Sequence, residues 1–160
     1  MSVEKARAAL AAAGFPGEIH EHPESSAPVE LAAACLGCEP ARIAKTLSFL
    51  KADGSAILIV AAGDAKVENR RYKETFGEKA KMIPGELVEE LVGHAPGGVC
   101  PFGVNPGVKT YLDESLKRFV TVYPAGGSSN SSVEMTLPQL EEFSLCVGWV
   151  DVCKGWREEG

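Results

Sequence analysis

The chain has 160 residues, 45% of them hydrophobic and 24% charged, which suits one globular domain over 1–160 and excludes a disordered or low-complexity protein. A net charge of −6 excludes a protein that coats nucleic acid, a DNA duplex included, through a broad basic surface; only a local contact with RNA fits. Met1 to Ala13 carries Glu4, Lys5 and Arg7 among alanines, so neither a signal peptide nor a membrane span is expected and a cytoplasmic location follows.

In chain order, Val3 to Ala13 reads as an alanine-rich helix stopped by Gly14 and Pro16. A short strand is expected around Glu18 to Glu21. Ser25 and Ser26 ahead of Pro28 and Glu30 look like a helix start, with Gly37 as the stop after Leu36. Glu39 to Ile43 reads as another short helical turn. Ala44 to Leu50 and Ala56 to Ala62 are apolar runs of strand length, and Asp53-Gly54 between them marks a hairpin. Gly63 and Asp64 are expected to open a helix to about Thr75, with Asp64 as N-cap and Gly77 as the close.

Lys79 to Ile83 reads as a strand, and Pro84 to Val92 as a helix that Gly93 ends. His94 to Gly107 holds four glycines and three prolines, too many for either regular element. Strands at Val108 to Leu112 and Phe119 to Tyr123 flank a turn at Asp113 to Lys117. A second loop, Ala125 to Ser132, leads to a strand at Val133 to Met135, a short helix starting at Thr136, Leu137 and Pro138, and a closing strand at Leu145 to Val152. The interleaving of strands and short helices predicts an α+β fold, a mixed sheet with helices packed around it.

The five cysteines, 35, 38, 100, 146 and 153, are an odd number with no export signal, so free thiols are expected. Cys35 and Cys38 form a C-x-x-C without the two further ligands that zinc needs, and His20 and His22 lack a completing cluster. No metal and no cofactor is therefore expected. The basic run Lys66, Arg70, Arg71, Lys73, Lys79 and Lys81 is interrupted by Glu68, Glu74 and Glu78 and reads as a solvated helix face.

Two features could carry chemistry. On a strand from Ala44 to Leu50, Lys45 shares a face with Leu47 and Phe49 while Thr46 and Ser48 point the other way. The ammonium either snorkels out at the sheet's end or reaches a pocket that holds an anion. The loop Gly97 to Gly103 either cradles a carbonyl or phosphate with its backbone N–H groups or is a plain surface loop. Cys100 within it is a nucleophile only if a base such as His94 stands beside it; otherwise it is a small buried thiol.

R-I-A-K-T-L-S-F at Arg42 to Phe49, I-L-I-V-A-A-G-D at Ile57 to Asp64, G-G-V-C-P-F-G at Gly97 to Gly103 and Y-L-D-E-S-L at Tyr111 to Leu116 together resemble the YbaK/prolyl-tRNA synthetase associated domain family. The resemblance runs from about Glu18 to Asp151. It implies a partly barrel-like mixed sheet and a deacylase acting in trans on the aminoacyl-tRNA 3′ end, with prolyl-tRNA carrying cysteine, alanine or another small amino acid as substrate. Prolyl-tRNA synthetase is the implied protein partner. By the same resemblance Lys45, Gly97 and Gly98 are the catalytic candidates. Thr46, Val99, Cys100, Pro101, Phe102, Gly103, Gly126 and Gly127 would bind substrate.

Where the bacterial cysteine-specific members resemble S-G-G-K-R-G-L-D, this chain has A-G-G-S-S-N-S-S from Ala125 to Ser132, which leaves the amino acid open. The alternatives are a non-catalytic module that binds transfer RNA or a synthetase through the same pocket, and a redox or zinc protein built on Cys35 and Cys38.

Overall fold

The computed structural model describes residues 2–21, 33–34, 37–128 and 130–156. Helix α1 (Ser2–Ala12) leads to the short strand β1 (His20–Glu21). A 3-10 turn at Pro40–Arg42 precedes β2 (Ile43–Leu50), followed by β3 (Ala56–Ala62), β4 (Lys66–Val67), α2 (Asn69–Phe76), α3 (Gly85–Val92) and β5 (Lys109–Asp113). Next come a 3-10 stretch at Glu114–Arg118, β6 (Thr121–Pro124), β7 (Ser131–Ser132), β8 (Met135–Thr136), α4 (Leu137–Phe143), β9 (Gly148–Val150) and β10 (Cys153–Lys154).

Six strands form one mixed sheet in the order β8, β6, β2, β3, β5, β9. It is antiparallel at β2–β3 and β6–β8 and parallel at the other three junctions. The sheet curls into a half-barrel, so the expected α+β class holds.

The β2–β3 hairpin turns where Asp53-Gly54 predicts. Gly54 takes a φ of 88°, the Lys51 N–H donates to Ser55 O, and the Asp53 carboxylate accepts from the Ser55 N–H. Strand β3 is buried along its whole length, which is why it reads as an unbroken apolar run. Its central residues Leu58, Ile59 and Val60 are fully buried, each contributing about 1.5–3 kcal/mol through removal from water.

The register pairs Lys45 with Ala61, Leu47 with Ile59 and Phe49 with Ile57, so odd-numbered side chains of both strands share one face and even-numbered ones the other. Helix α2 covers the odd face, where the Tyr72 ring lies 5.1 Å from that of Phe49. Helix α3 covers the even face, its Val88 and Val92 packing with Leu58, Ala56 and Ile83.

Several boundaries differ from the sequence reading. Helix α2 begins at Asn69, not Asp64, because Lys66–Val67 is drawn into a ribbon with Cys153–Lys154. Asp64 is not an N-cap; its carboxylate is held by Arg118 at 2.9 and 2.5 Å. The expected strand at Lys79 to Ile83 is reduced to one bridge between Met82 and Phe49. The closing strand shortens to Gly148–Val150, since Leu145 adopts a left-handed φ of 54°. Helix α3 starts after Pro84 and ends at Gly93, φ 103°, as read.

The readings placed on Ser25 to Leu36 and on His22 lie outside the described residues, apart from 33–34. Among the described residues, no helix is long and apolar enough to cross a membrane.

Candidate active site

The Gly97 to Gly103 loop is pinned by its side chains. Cys100 and Phe102 sit in the main core, while Val99 packs against the cluster of Leu58, Val88 and Val92 on the even face of the sheet. His94 is fully buried, and its Nε2 lies 2.6 Å from the carbonyl oxygen of Phe102. A carbonyl only accepts, so Nε2 carries the proton. The buried Nδ1 then has no partner among the described residues. The Cys100 thiol donates to the same Phe102 oxygen at 3.6 Å.

Burial lowers the pKa of His94, and the hydrogen bond to the Phe102 carbonyl, which favours the charged ring, offsets this only in part. Burial pushes the Cys100 thiol up to about 12. His94 Nε2 does stand 3.5 Å from the Cys100 sulfur, but its proton goes to the Phe102 carbonyl, and a thiol held neutral in this way is a poor nucleophile.

Helix α1 braces the chain at Gly93, ahead of the loop, and at Gly103, its end. Lys5 Nζ donates to Gly93 O at 3.1 Å, and a Cβ added to Gly103, whose φ is 71°, would stand 2.7 Å from Lys5 O. Within the loop, the Gly98 N–H bonds back to Ala95 O at 3.0 Å. The N–H groups of Gly97, Val99 and Cys100 have no hydrogen-bond partner among the described residues.

The second glycine turn meets the first. A Cβ on Gly98 would fall 2.6 Å from both Gly127 O and Ser128 Cα, so only glycine permits the contact. Gly126 is pressed against Ile19 and Ser131 in the same way, with Ile19 Cγ2 2.6 Å from where its Cβ would be. Ala44 of β2 pairs in parallel with Pro124, so this turn leaves β6 beside Lys45 and Thr46. Three segments distant in sequence therefore converge at the start of β2.

Strand alternation divides the two side chains expected there. Thr46 lies on the even face, the one on which Val99 packs, and its Oγ1 is buried without a hydrogen-bond partner among the described residues. Lys45 lies on the odd face with Leu47 and Phe49. Its ammonium donates to the carbonyls of Gly63, at 3.4 Å, and Ala65. It thereby fastens the turn after β3 at the sheet's end. The Arg118 hydrogen bonds, and in smaller part the Lys45 charge, hold the Asp64 carboxyl below the usual carboxylate range despite its partial burial.

Three participants escaped the sequence reading. Ser128 was not singled out, although it follows the Gly126-Gly127 pair. Ile19 gave no signal. His94 was weighed only as a base for Cys100, because a bond to a backbone carbonyl eight residues away leaves no trace in the side-chain pattern.

The model of the aminoacyl-tRNA editing domain matches residues 22–143. The chain is 48% identical to the uncharacterized protein YwhH of Bacillus subtilis (strain 168) across 98% of its own length and all of that protein. It is 30% identical to a proline–tRNA ligase of Bacillus licheniformis, covering 72% of this chain and 21% of the ligase. A crystal structure of a candidate trans-editing enzyme for prolyl tRNA synthetase superposes with a TM-score of 0.87 at 30% identity, over 96% of this chain and 98% of that one. The chain belongs to the aminoacyl-tRNA editing domain family, as the lysine strand and the glycine loop had indicated.

Proposed function

We propose that the chain hydrolyses, in trans, the ester joining a small, wrongly attached amino acid to the 3′ end of a transfer RNA, above all prolyl-tRNA carrying cysteine or alanine. The observation that carries this reading is the contact of the two glycine turns at Gly98 and Gly127 in a chain of the editing family. Among the described residues, the N–H groups of Gly97, Val99 and Cys100 and the Thr46 hydroxyl have no partner. The likeness to a candidate trans-editing enzyme for prolyl tRNA synthetase, and to part of a proline–tRNA ligase, supports the prolyl assignment and that synthetase as partner.

An aminoacyl ester is already activated, so positioning and charge stabilisation supply much of the acceleration. Water adds to the ester carbonyl, with the neighbouring ribose hydroxyl relaying its proton, or the sulfur of a cysteinyl substrate adds first and forms a thiolactone that water then opens. The carbonyl oxygen takes the negative charge and faces the N–H groups of Gly97, Val99 and Cys100. Collapse releases the ribose oxygen, which leaves with a proton.

In this assignment the Gly97 and Gly98 backbone fixes the ester, and Pro101, Phe102 and Gly103 hold the loop's shape. Thr46, Gly126 and Gly127 border the amino acid. Lys45 supplies positive potential for the terminal adenosine and its phosphate at the start of β2. Cys100 remains loop lining.

The test is deacylation of prolyl-tRNA charged separately with cysteine, alanine, serine, threonine and proline. One or more mischarged esters should be cleaved well above the spontaneous rate, with the proline ester spared. Saturable RNA binding with no hydrolysis of any ester would make the chain a binding module and remove the reading.

A further inference from the structure

Strands β4 and β10 form a two-residue antiparallel ribbon in which Val67 opposes Cys153 and Lys66 opposes Lys154. Directly opposed residues share a face, so two exposed ammonium groups stand side by side in a protein of net charge −6. Like charges in that arrangement destabilise a ribbon. Among the described residues, nearby carboxylates do not relieve it. Asp64 is bound to Arg118, and Asp151 lies 3.6 Å from Arg71, which also holds Glu68. Among the described residues neither Lys66 nor Lys154 takes part in an ion pair.

Lys66 also borders an open cavity of about 420 Å³, floored by Leu47 and Phe49 of β2 and flanked by Val67 and Met82. Met82 is 54% exposed, and Lys79 and Lys81 beside it are exposed as well. The glutamates that interrupt this basic run are engaged elsewhere: Glu68 with Arg71, Glu74 with Arg70, and Glu78 as acceptor for the Ala52 N–H. The sequence reading of a solvated helix face thus separates into paired arginines on α2 and exposed lysines, of which Lys66 lines the apolar floor. A ribose or base rests on apolar surface and its phosphate is met by ammonium groups, so the combination fits a nucleotide chain.

We infer that Lys66 and Lys154 together contact a phosphodiester of the RNA strand that carries the ester, with the adjoining nucleotide over the Leu47 and Met82 cavity. The inference rests on the deacylase reading and adds the path of the acceptor strand, across the β4–β10 ribbon. The opposed lysines lose their mutual repulsion when the phosphate arrives, so the ribbon gains stability on binding.

The test measures binding of an uncharged RNA minihelix ending in CCA to the full chain, by fluorescence anisotropy over a range of salt concentrations. The doubly substituted Lys66→Gln, Lys154→Gln protein should bind more weakly, its log–log salt slope shallower by about one per lysine. For a mischarged substrate its KM should rise several-fold with kcat retained, while exposed Lys109→Gln changes neither. The melting temperature of the double variant should be equal or higher, which separates lost contact from lost fold.

Unchanged RNA affinity and salt slope would overturn the inference. So would inorganic phosphate that binds these lysines without competing with RNA, since the pair would then serve a small anion. Lysine-dependent RNA binding in a protein that cleaves no ester would remove the deacylase reading and leave this contact standing.

Discussion

His94 donates from Nε2 to the carbonyl oxygen of Phe102, 2.6 Å away, across the base of the glycine loop. The bond ties the end of helix α3 to the far side of the loop and holds the backbone that precedes Phe102. His94→Ala removes the donor and leaves the Phe102 carbonyl with the Cys100 thiol alone, so deacylation should fall. Unfolding free energy should drop by about 2–4 kcal/mol from lost packing and an unsatisfied carbonyl. His94→Gln, which keeps a neutral N–H donor, should recover part of both, as read by chemical denaturation and single-turnover kinetics.

Burial of the same ring sets a pH dependence. The folded-state pKa of His94 lies below its ordinary value of 6.5 because burial disfavours the charged ring. Below pH 6.5 the unfolded chain takes up a proton that the folded chain refuses, so stability is full above that value. It is lost as pH falls through the folded-state pKa. Lys5, bonded to Gly93 beside it, opposes the charge further. Denaturation midpoints from pH 7 to pH 5 should decline in the natural protein and decline less in His94→Gln; parallel curves would assign the slope to other groups.

Gly98→Ala tests the meeting of the loops. Its Cβ would stand 2.6 Å from Gly127 O and Ser128 Cα, both backbone atoms that cannot rotate aside. Separating the turns should cost about 1–3 kcal/mol of stability. Deacylation should fall about 100-fold or more, the scale of losing one oxyanion donor. Gly107→Ala is the control, because a Cβ there meets nothing within 4 Å, although its φ of 91° carries its own modest cost.

Thr46→Val separates binding from folding. The Thr46 hydroxyl is buried with no partner among the described residues, so an isosteric apolar side chain should leave stability equal or slightly higher. If the hydroxyl meets the substrate, kcat/KM should drop about 10-fold, the scale of a polar contact worth about 1–1.5 kcal/mol. Unchanged kinetics with raised stability would take Thr46 out of the site.

Lys45→Met keeps much of the stem and deletes the ammonium that donates to Gly63 and Ala65. Two charge-assisted bonds, discounted for partial exposure, predict a loss of about 1–3 kcal/mol. Deacylation should fall by more than that instability explains, and Lys45→Arg should restore stability better than activity if a compact charge is what the substrate meets. Full deacylation by Lys45→Met at a temperature where it stays folded would limit Lys45 to fastening the turn.

Much of this protein was legible in one dimension because its signals are local. The unbroken apolar run of β3, the Asp53-Gly54 turn, the Pro84 and Gly93 ends of helix α3 and the glycine-rich loop each rest on the conformational limits of a few adjacent residues. The lysine strand and glycine loop together also gave the family.

The remainder was decided in three dimensions. Asp64 became a partner of Arg118 instead of a helix cap because an ion pair with a residue 54 positions away outweighed a local preference. The contact of Gly98 with Gly127, the tie from His94 to Phe102 and the opposition of Lys66 to Lys154 arise from how the curled sheet brings distant turns together. Such proximity depends on register and curvature, which no single segment encodes, because each strand's position is settled only by the neighbours against which it buries its side chains.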